Sequence, residues 1–181
     1  LVYLFGDIGP LALLAGTMVL ALVLRNTVNL PLTILSAVGV GVLTGLALMA
    51  FSGAYLEQMV AYFSEFLASL EQQLSQGGQV VELPKPSATQ IAGMLGAGSA
   101  AMSVLCLLLG RYWQALLYNP GGFGQEFKAL YYPPGVSSVL IIAALALYGL
   151  GLEYRAWAMI CVIPLMFAGL ALLHARAEMR G

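Results

Sequence analysis

Long apolar stretches without charged side chains constrain the fold of this chain more than any other feature. The stretch 30–51, for example, contains no Asp, Glu, Lys or Arg, and about 20 apolar residues in a helix are enough to cross the hydrocarbon core of a bilayer. The composition agrees with this, because only 8% of the residues are charged, whereas about 25% is usual in soluble proteins. The sequence therefore predicts an integral membrane protein of the all-α class.

Five stretches are predicted to cross the membrane and to form a polytopic helix bundle. The predicted spans are 8–24, 30–51, 88–118, 136–152 and 156–173. Pro164 lies inside the fifth span and is expected to kink it. We expect residues 1–181 to make up a single transmembrane domain.

The start of the chain is also apolar. The run Leu1–Phe5 ends at Gly6-Asp7 and resembles the end of a helix. We therefore expect that one or more N-terminal helices are missing from the chain. Removal of a signal peptide would leave a similar start, so this alternative stays open.

The third span has signals for both of its ends. Ser87 and Gln90 have the spacing of a capping box, in which each side chain hydrogen-bonds to the backbone of the other residue. No helix breaker follows until Pro120. A helix of residues 88–118 would be about 46 Å long at about 1.5 Å per residue, so its end near Arg111 is expected to extend through the lipid headgroups.

Residues 54–76 are predicted to form an amphipathic helix rather than a span. Apolar residues recur there at intervals of three and four, and Glu, Gln and Ser fill the opposite face. Helices that bind anionic lipids usually carry Lys and Arg on the polar face, and this helix has neither. We expect a lid or packing helix, with a lipid-sensing helix as the alternative. Gly77-Gly78 should end it, and an extended linker should follow at 80–86.

The basic residues predict the orientation in the membrane, because cytoplasmic loops carry an excess of Lys and Arg. With five spans, one side of the membrane holds only Lys85 and Arg155. The other side holds five basic residues, Arg25, Arg111, Lys128, Arg176 and Arg180. The prediction therefore places the C-terminus in the cytoplasm and the amphipathic helix outside.

Small residues spaced four apart predict close contacts between helices, since such residues let the backbones of membrane helices approach each other. One row lies on the second span and two rows lie on the third. Their members are Ala37, Gly41 and Gly45, then Ala92, Gly96 and Ala100, and finally Gly93, Ala97 and Ala101. Packing within the chain is the expected role, and docking of a second membrane subunit is the alternative.

Ionisable residues are absent from the centres of the predicted spans, which argues against ion coupling and proton relays. His174 is the single histidine, and it is expected at a different depth from Ser99, although a catalytic base must come within about 3 Å of its nucleophile. Cys106 and Cys161 have no histidine neighbours and make a poor metal site. We therefore expect neither an enzyme nor a metal or cofactor.

A net charge of −1 argues against binding of nucleic acid.

A distinctive loop at 119–132, here called the elbow, joins the third and fourth spans. Asn119-Pro120-Gly121-Gly122 is a strong signal for a helix stop and a tight turn. The apolar spacing after it predicts a short interfacial helix with Glu126 and Lys128 turned to water. A glycine pair can also hold phosphate, but no Gly-Lys-Ser/Thr follows, so this signal is weak. Aromatic residues that are predicted to form an interfacial belt are Tyr112, Trp113, Tyr118, Tyr131 and Tyr132.

A resemblance to a known family rests mainly on the elbow and the end of the third span. The residues that carry it are Arg111, Trp113, Asn119, Pro120, Gly121, Gly122, Phe123, Glu126 and Phe127. They make the chain similar to the uncharacterised YybS-like family of bacterial integral membrane proteins, and more distantly to the S components of energy-coupling-factor transporters. The resemblance implies a multi-pass protein of the bacterial inner membrane. S components bind a vitamin or similar solute from the outer side and dock on a membrane partner driven by ATPases, but no ligand residue of theirs matches a position here.

Two functions agree with these features. The first is a solute-binding membrane subunit without chemistry of its own, whose small-molecule ligand lies between the outer helix ends and residues 54–76. Such a subunit would sit in the lipid bilayer and dock on a second membrane subunit. The alternative is a non-catalytic structural or assembly protein that binds a cytoplasmic partner through residues 119–130.

Overall fold

A computed structural model of the chain describes residues 8–75 and 83–178. Within these residues all regular elements are helical, which confirms the all-α class. The seven α-helices are α1 (Ile8–Thr27), α2 (Leu30–Phe51), α3 (Gly53–Ser75), α4 (Ala88–Tyr118), α5 (Gly122–Lys128), α6 (Pro134–Gly149) and α7 (Arg155–Glu178). A 3-10 helix at Leu152–Tyr154 precedes α7.

Three helical segments are long and apolar enough to cross a membrane, judged by length and composition. They are Leu30–Phe51, Ala88–Tyr118 and Leu152–Glu178. Two further apolar helical segments, Leu11–Thr27 and Pro134–Gly149, are shorter. The described part of the chain therefore has the helices of a membrane protein, with three candidate spans.

Both ends of α4 lie where the sequence predicts them. Ser87 and Gln90 form the complete capping box: Oγ of Ser87 accepts from the Gln90 amide at 3.2 Å, and Oε1 of Gln90 accepts from the Ser87 amide at 2.8 Å. At the other end, the amide of Asn119 donates to the carbonyl of Ala115 at 2.8 Å. These contacts satisfy backbone groups that have no partner inside the helix, and they confirm the predicted helix Ala88–Tyr118.

Other helix bounds differ from the prediction. α6 ends at Gly149 rather than at 152, because Gly151 adopts a φ of +125° that interrupts the helical backbone. α1 continues to Thr27 and α7 to Glu178, so both extend past the predicted spans by polar residues. The α-helix of α7 is continuous through Pro164. The expectations for Leu1–Phe5, Gly6-Asp7, Gln76, Gly77-Gly78, residues 80–82 and Arg180 lie outside the described residues.

The helix α4 lies at the centre of the bundle, because it packs against α1, α2, α3 and α7. The most extensive helix pair is α2 with α4, and α6 packs mainly on α7. Leu20, Ile34 and Ile160 come from three different helices and are completely buried. Between helices in lipid, close packing of this kind replaces the hydrophobic effect as the source of stability.

The two ends of the bundle are distinct in structure. One end, the elbow end, holds the turn between α1 and α2, the elbow and the end of α7. It is tied together where the hydroxyl of Tyr132 donates to the carbonyl of Pro31 at 3.0 Å. The opposite end, the linker end, holds the junction of α2 and α3, the start of α4 and the turn between α6 and α7. There the amide of Leu83 donates to a carboxylate oxygen of Glu71 on α3 at 2.6 Å.

Candidate functional site

The small-residue rows of α2 and α4 face each other inside the bundle. A Cβ atom added to Gly96 would lie 2.5 Å from the carbonyl oxygen of Gly41, and one added to Gly41 would lie 2.9 Å from Cγ2 of Ile160. Ala37, Ala92 and Ala100 are completely buried along the same contact. These two rows therefore let the backbones of α2 and α4 touch and leave no exposed surface of their own.

The third row, on α4, contacts the indole ring of Trp157. A Cβ atom on Gly93 would lie 2.6 Å from Cδ1 of this ring, and one on Gly45 would lie 2.6 Å from Cη2. The ring thus fills the space that two glycines leave between α2 and α4, and its Nε1 donates to the carbonyl of Thr89 at 3.0 Å. Ala97 is buried and Ala101 is half-buried on the same helix.

The sequence analysis did not identify Trp157 as a residue that packs between α2 and α4. Its position in the first turn of an apolar helix was visible, as were the glycines that receive it. Their pairing depends on how α7 is rotated against α2 and α4, and helical spacing within one element does not contain this information.

A crevice of about 700 Å³ opens at the linker end between α4, α6 and α7, within the range of about 300–1,000 Å³ that is common for ligand pockets. Its walls are mainly apolar, and Pro84 and Pro86 border it on one side. Gln90, Tyr148 and Arg155 supply the polar groups. We call this cavity the linker-end crevice.

The polar groups of the linker-end crevice are held in place by neighbours. Nε2 of Gln90 donates to the carbonyl of Leu152 at 3.0 Å, while its Oε1 belongs to the capping box. The guanidinium carbon of Arg155 lies 4.4 Å from the centroid of the Tyr148 ring, in a cation–π arrangement. A cation, an amide and an aromatic ring therefore border one apolar cavity.

A second, smaller cavity of about 250 Å³ lies next to α3, between α1, α2 and α4. Three hydroxyl-bearing residues line it, namely Thr44, Tyr55 and Ser99. Oγ of Ser99 is buried and has no hydrogen-bond partner among the described residues. This is the region between the helix ends and the predicted amphipathic segment.

The helix α3 covers the residues that were predicted to be amphipathic, from Gly53 to Ser75. Only Leu56 is fully buried among them, while Tyr55, Met59 and Val60 pack partly against the core. The exposed residues include Tyr62, Phe63 and Phe66. The first half of α3 is therefore fixed to the bundle, and the described residues leave part of its apolar side exposed.

Two ion pairs connect the elbow to α4 and α7. Nη2 of Arg111 lies 2.6 Å from Oε2 of Glu126, and Lys128 pairs with Glu178 at the end of α7. Glu126 and Lys128 are half-buried, so their predicted orientation toward water is met only in part. The short helix α5 folds back on α4 and α7, and this brings each charged side chain to an opposite charge.

The glycine pair of the elbow allows the backbone to form a tight turn. Gly121 has a φ of +85°, a conformation that other residues rarely adopt. The amide of Gly122 donates to the carbonyl of Asn119 at 3.0 Å, and a Cβ atom on Gly122 would collide with the Asn119 side chain. Pro120 is exposed in the same turn.

The aromatic residues near the elbow divide into a packed group and an exposed group. Phe123 stacks on Phe127 and meets Tyr112 edge to face, with ring centroids 5.9 Å apart in both pairs. Tyr132 is buried, and burial raises the pKa of its hydroxyl; the prediction that it belongs to an interfacial belt is therefore wrong. Trp113, Tyr118 and Tyr131 are exposed, and Tyr112 is exposed as well, although its ring contacts Phe123.

The candidate catalytic residues, His174 and Ser99, lie in different parts of the bundle. His174 borders a crevice with Phe127 at the elbow end, whereas Ser99 borders the small cavity beside α3. Cys106 is exposed on α4 and Cys161 is buried on α7. Across residues 8–75 and 83–178, no group of three or more His, Cys, Asp or Glu side chains is placed to hold a metal ion.

Comparison with protein families finds no family model that matches this chain. No characterised protein matches it, and no solved structure matches it.

Proposed function

We propose that the chain is a solute-binding membrane subunit, similar to the S components of energy-coupling-factor transporters, without chemistry of its own. The observation that carries the proposal is the linker-end crevice, where Arg155, Tyr148 and Gln90 border an apolar cavity of about 700 Å³. Ligand pockets commonly combine apolar walls with a few fixed polar groups. The ligand class that fits is a small solute with an apolar or aromatic body and one acidic group, which pairs with Arg155.

In this proposal all five apolar helices cross the membrane. The helix α1 has 20 residues and α6 has 16, which correspond to about 30 Å and about 24 Å at about 1.5 Å per residue. The short α6 is accommodated by local thinning of the bilayer or by residues that extend to the interface. The YybS-like resemblance supports a location in the bacterial inner membrane.

The orientation follows from the basic residues. Arg25, Arg111, Lys128 and Arg176 belong to the elbow end, which the positive-inside rule assigns to the cytoplasm. The linker-end crevice and α3 then face outward. The helix α3 does not line the crevice itself, but Glu71 on α3 accepts from the amide of Leu83, which precedes the bordering Pro84. The second membrane subunit contacts surfaces other than the two facing rows of small residues, because those rows are buried within the chain.

Mass spectrometry of the denatured, freshly purified chain tests this function. We expect a stoichiometric small molecule to be released from the wild type. Arg155→Gln should weaken its binding about tenfold or more, since a hydrogen bond to a charged group contributes roughly 1.5–3 kcal/mol. Arg25→Gln, the same change at the opposite end, should leave it unaffected. A chain that carries no solute, or equal binding by the Arg155→Gln variant, would overturn the proposal.

A second candidate is a structural or assembly protein that binds a cytoplasmic partner through residues 119–130. The exposed aromatic side chains at the elbow end favour it, with Tyr118 exposed to 83% and Tyr131 to 67%. Gly121→Val should distort the turn, because Val avoids positive φ, and should abolish copurification of such a partner. Gly124→Ala is the matched control, since open space surrounds Gly124. A partner retained by the Gly121→Val variant would exclude this candidate.

A further inference from the structure

A crevice of about 420 Å³ lies at the elbow end between α1 and α4, on the opposite end of the bundle from the linker-end crevice. We call it the arginine crevice. Arg25, Arg111 and Gln114 form its polar rim. Below the rim its walls run along α1 and α4 toward the middle of the bundle and are mainly apolar, with Leu24 and Leu107 among the lining residues.

The rim carries more positive than negative charge. Arg111 is paired with Glu126 and donates to Oε1 of Gln114 at 2.7 Å. Arg25 makes no ion pair or side-chain hydrogen bond within residues 8–75 and 83–178. The rim therefore holds two guanidinium groups, and only that of Arg111 is paired with a carboxylate among the described residues. The Nε atom of Arg111 is buried without a hydrogen-bond partner in the same part of the chain. Guanidinium groups bind the oxygens of phosphate through paired, charge-assisted hydrogen bonds.

The apolar part of the arginine crevice has the form of a groove. Gly110 lines it, and a Cβ atom added to this glycine would meet no atom within 4 Å. On the α1 side, Thr17 and Ala21 line the part of the crevice farther from the rim than Leu24 and Arg25, and neither is large. The absence of bulky side chains at these positions leaves room for a hydrocarbon chain that lies along α1 and α4.

We propose that the arginine crevice binds an anionic phospholipid. Its phosphate headgroup contacts Arg25 and Arg111 at the rim, and one acyl chain occupies the groove beside Gly110. Basic pockets between membrane helices at the cytoplasmic surface commonly hold such headgroups. The apolar walls below the rim favour a lipid over free phosphate, because a free anion would leave them exposed.

Native mass spectrometry of the full chain in detergent, titrated with phosphatidylglycerol or with phosphatidylcholine, tests this site. We expect phosphatidylglycerol to bind more tightly than phosphatidylcholine. Arg25→Gln should weaken phosphatidylglycerol binding about fivefold, the factor expected for one basic contact at a membrane surface, while Arg25→Lys should restore most of it. Arg155→Gln, the matched control at the linker end, should bind the lipid as the wild type does.

A second pair of variants tests the groove and leaves both arginines in place. Gly110→Leu should fill the groove and reduce phosphatidylglycerol binding, whereas Gly169→Leu, at another uncrowded helical position, should not. Both substitutions suit a helix, since leucine has a higher helix propensity than glycine.

Several outcomes would overturn the proposal. Equal binding of the two lipids would show that the headgroup charge does not determine binding. Unchanged binding in both Arg25→Gln and Gly110→Leu would show that the lipid does not bind at the arginine crevice. A gain in thermal stability with millimolar inorganic phosphate that matches the gain with phosphatidylglycerol would identify a free anion as the ligand. The solute-binding function predicts that Arg155→Gln weakens solute binding and that Arg25→Gln does not, which is the reverse of the lipid result. Failure of one proposal is therefore distinguishable from failure of the other.

Discussion

The contact between Gly96 and Gly41 shows how a single missing side chain positions two helices. An added Cβ on Gly96 would lie 2.5 Å from a backbone oxygen of α2, and a backbone oxygen cannot turn away as a side chain can. Close backbone approach of this kind is a main source of stability between helices in lipid.

At the residue scale we therefore predict that Gly96→Ala destabilises the bundle. The expected loss is about 1–3 kcal/mol, the usual cost of overfilling a packed interior. Gly98→Ala is the matched control two residues away, where a Cβ atom meets nothing within 4 Å, and it should be neutral or slightly stabilising. Thermal unfolding of the chain in detergent measures both. Equal losses in the two variants would show that the contact with Gly41 is not the cause.

The small-residue rows were predictable from the sequence, but the partner of each row was not. Spacing of four residues shows that Gly41 and Gly96 lie on faces suited to close approach. It does not show that Gly93 receives a tryptophan from a helix about 60 residues further along the chain. That contact depends on the rotation and depth of α7, which no local pattern specifies.

At the scale of elements, α4 illustrates features that local sequence predicts, and the elbow illustrates features that depend on contacts between helices. The ends of α4 were predictable because a capping box and an Asn-Pro-Gly-Gly turn act through bonds between neighbours in sequence. The ion pairs of Glu126 and Lys128 were missed because their partners come from other helices. The early end of α6 was missed as well, since the positive φ of Gly151 is a property of the turn and not of the apolar pattern.

The contact between α5 and α7 leads to a prediction about pH. A hydrogen bond from Lys128 and the positive charge of that lysine lower the pKa of Glu178. The pair therefore holds the elbow to α7 at pH values above the ordinary range of a glutamate, and it is lost as the pH falls through the lowered value. Because Glu178 is exposed, the effect should be small and should weaken at high salt.

Hydrogen exchange of the last turn of α7, corrected for the intrinsic pH dependence, measures this contact. In the wild type, protection at residues 174–178 should decrease as the pH falls from about 6 to about 3, a range that brackets the ordinary glutamate pKa. Glu178→Gln should show low protection that does not change with pH. A pH dependence that survives in this variant would assign the effect to another group.

At the scale of the whole molecule, the long apolar stretches and the low charge content of the sequence predicted the class of protein. Only 8% of the residues are charged, and large apolar side chains are exposed on all five apolar helices. The sequence did not indicate where cavities open, because a cavity depends on how helices diverge at their ends. The linker-end crevice and the arginine crevice therefore became visible only in the folded arrangement.

The proposed orientation predicts which residues face each side of the membrane. In a background with Cys106→Ser and Cys161→Ser, we expect Gln73→Cys on α3 to react with an impermeant maleimide in right-side-out vesicles. Ala177→Cys on α7 should react only after the vesicles are permeabilised, because positive-inside placement puts the elbow end in the cytoplasm. Both positions are exposed. The opposite labelling pattern would invert the assignment of the two ends.

The position of Trp157 has a consequence for how the protein is made. This tryptophan is synthesised after α2 and α4, yet it fills the space between those two helices. Until α7 arrives, α2 and α4 present a glycine-lined gap at Gly45 and Gly93. A chain that stops before residue 157 would keep that gap open. Membrane quality-control proteases would then encounter a bundle in which no indole ring fills the space between α2 and α4.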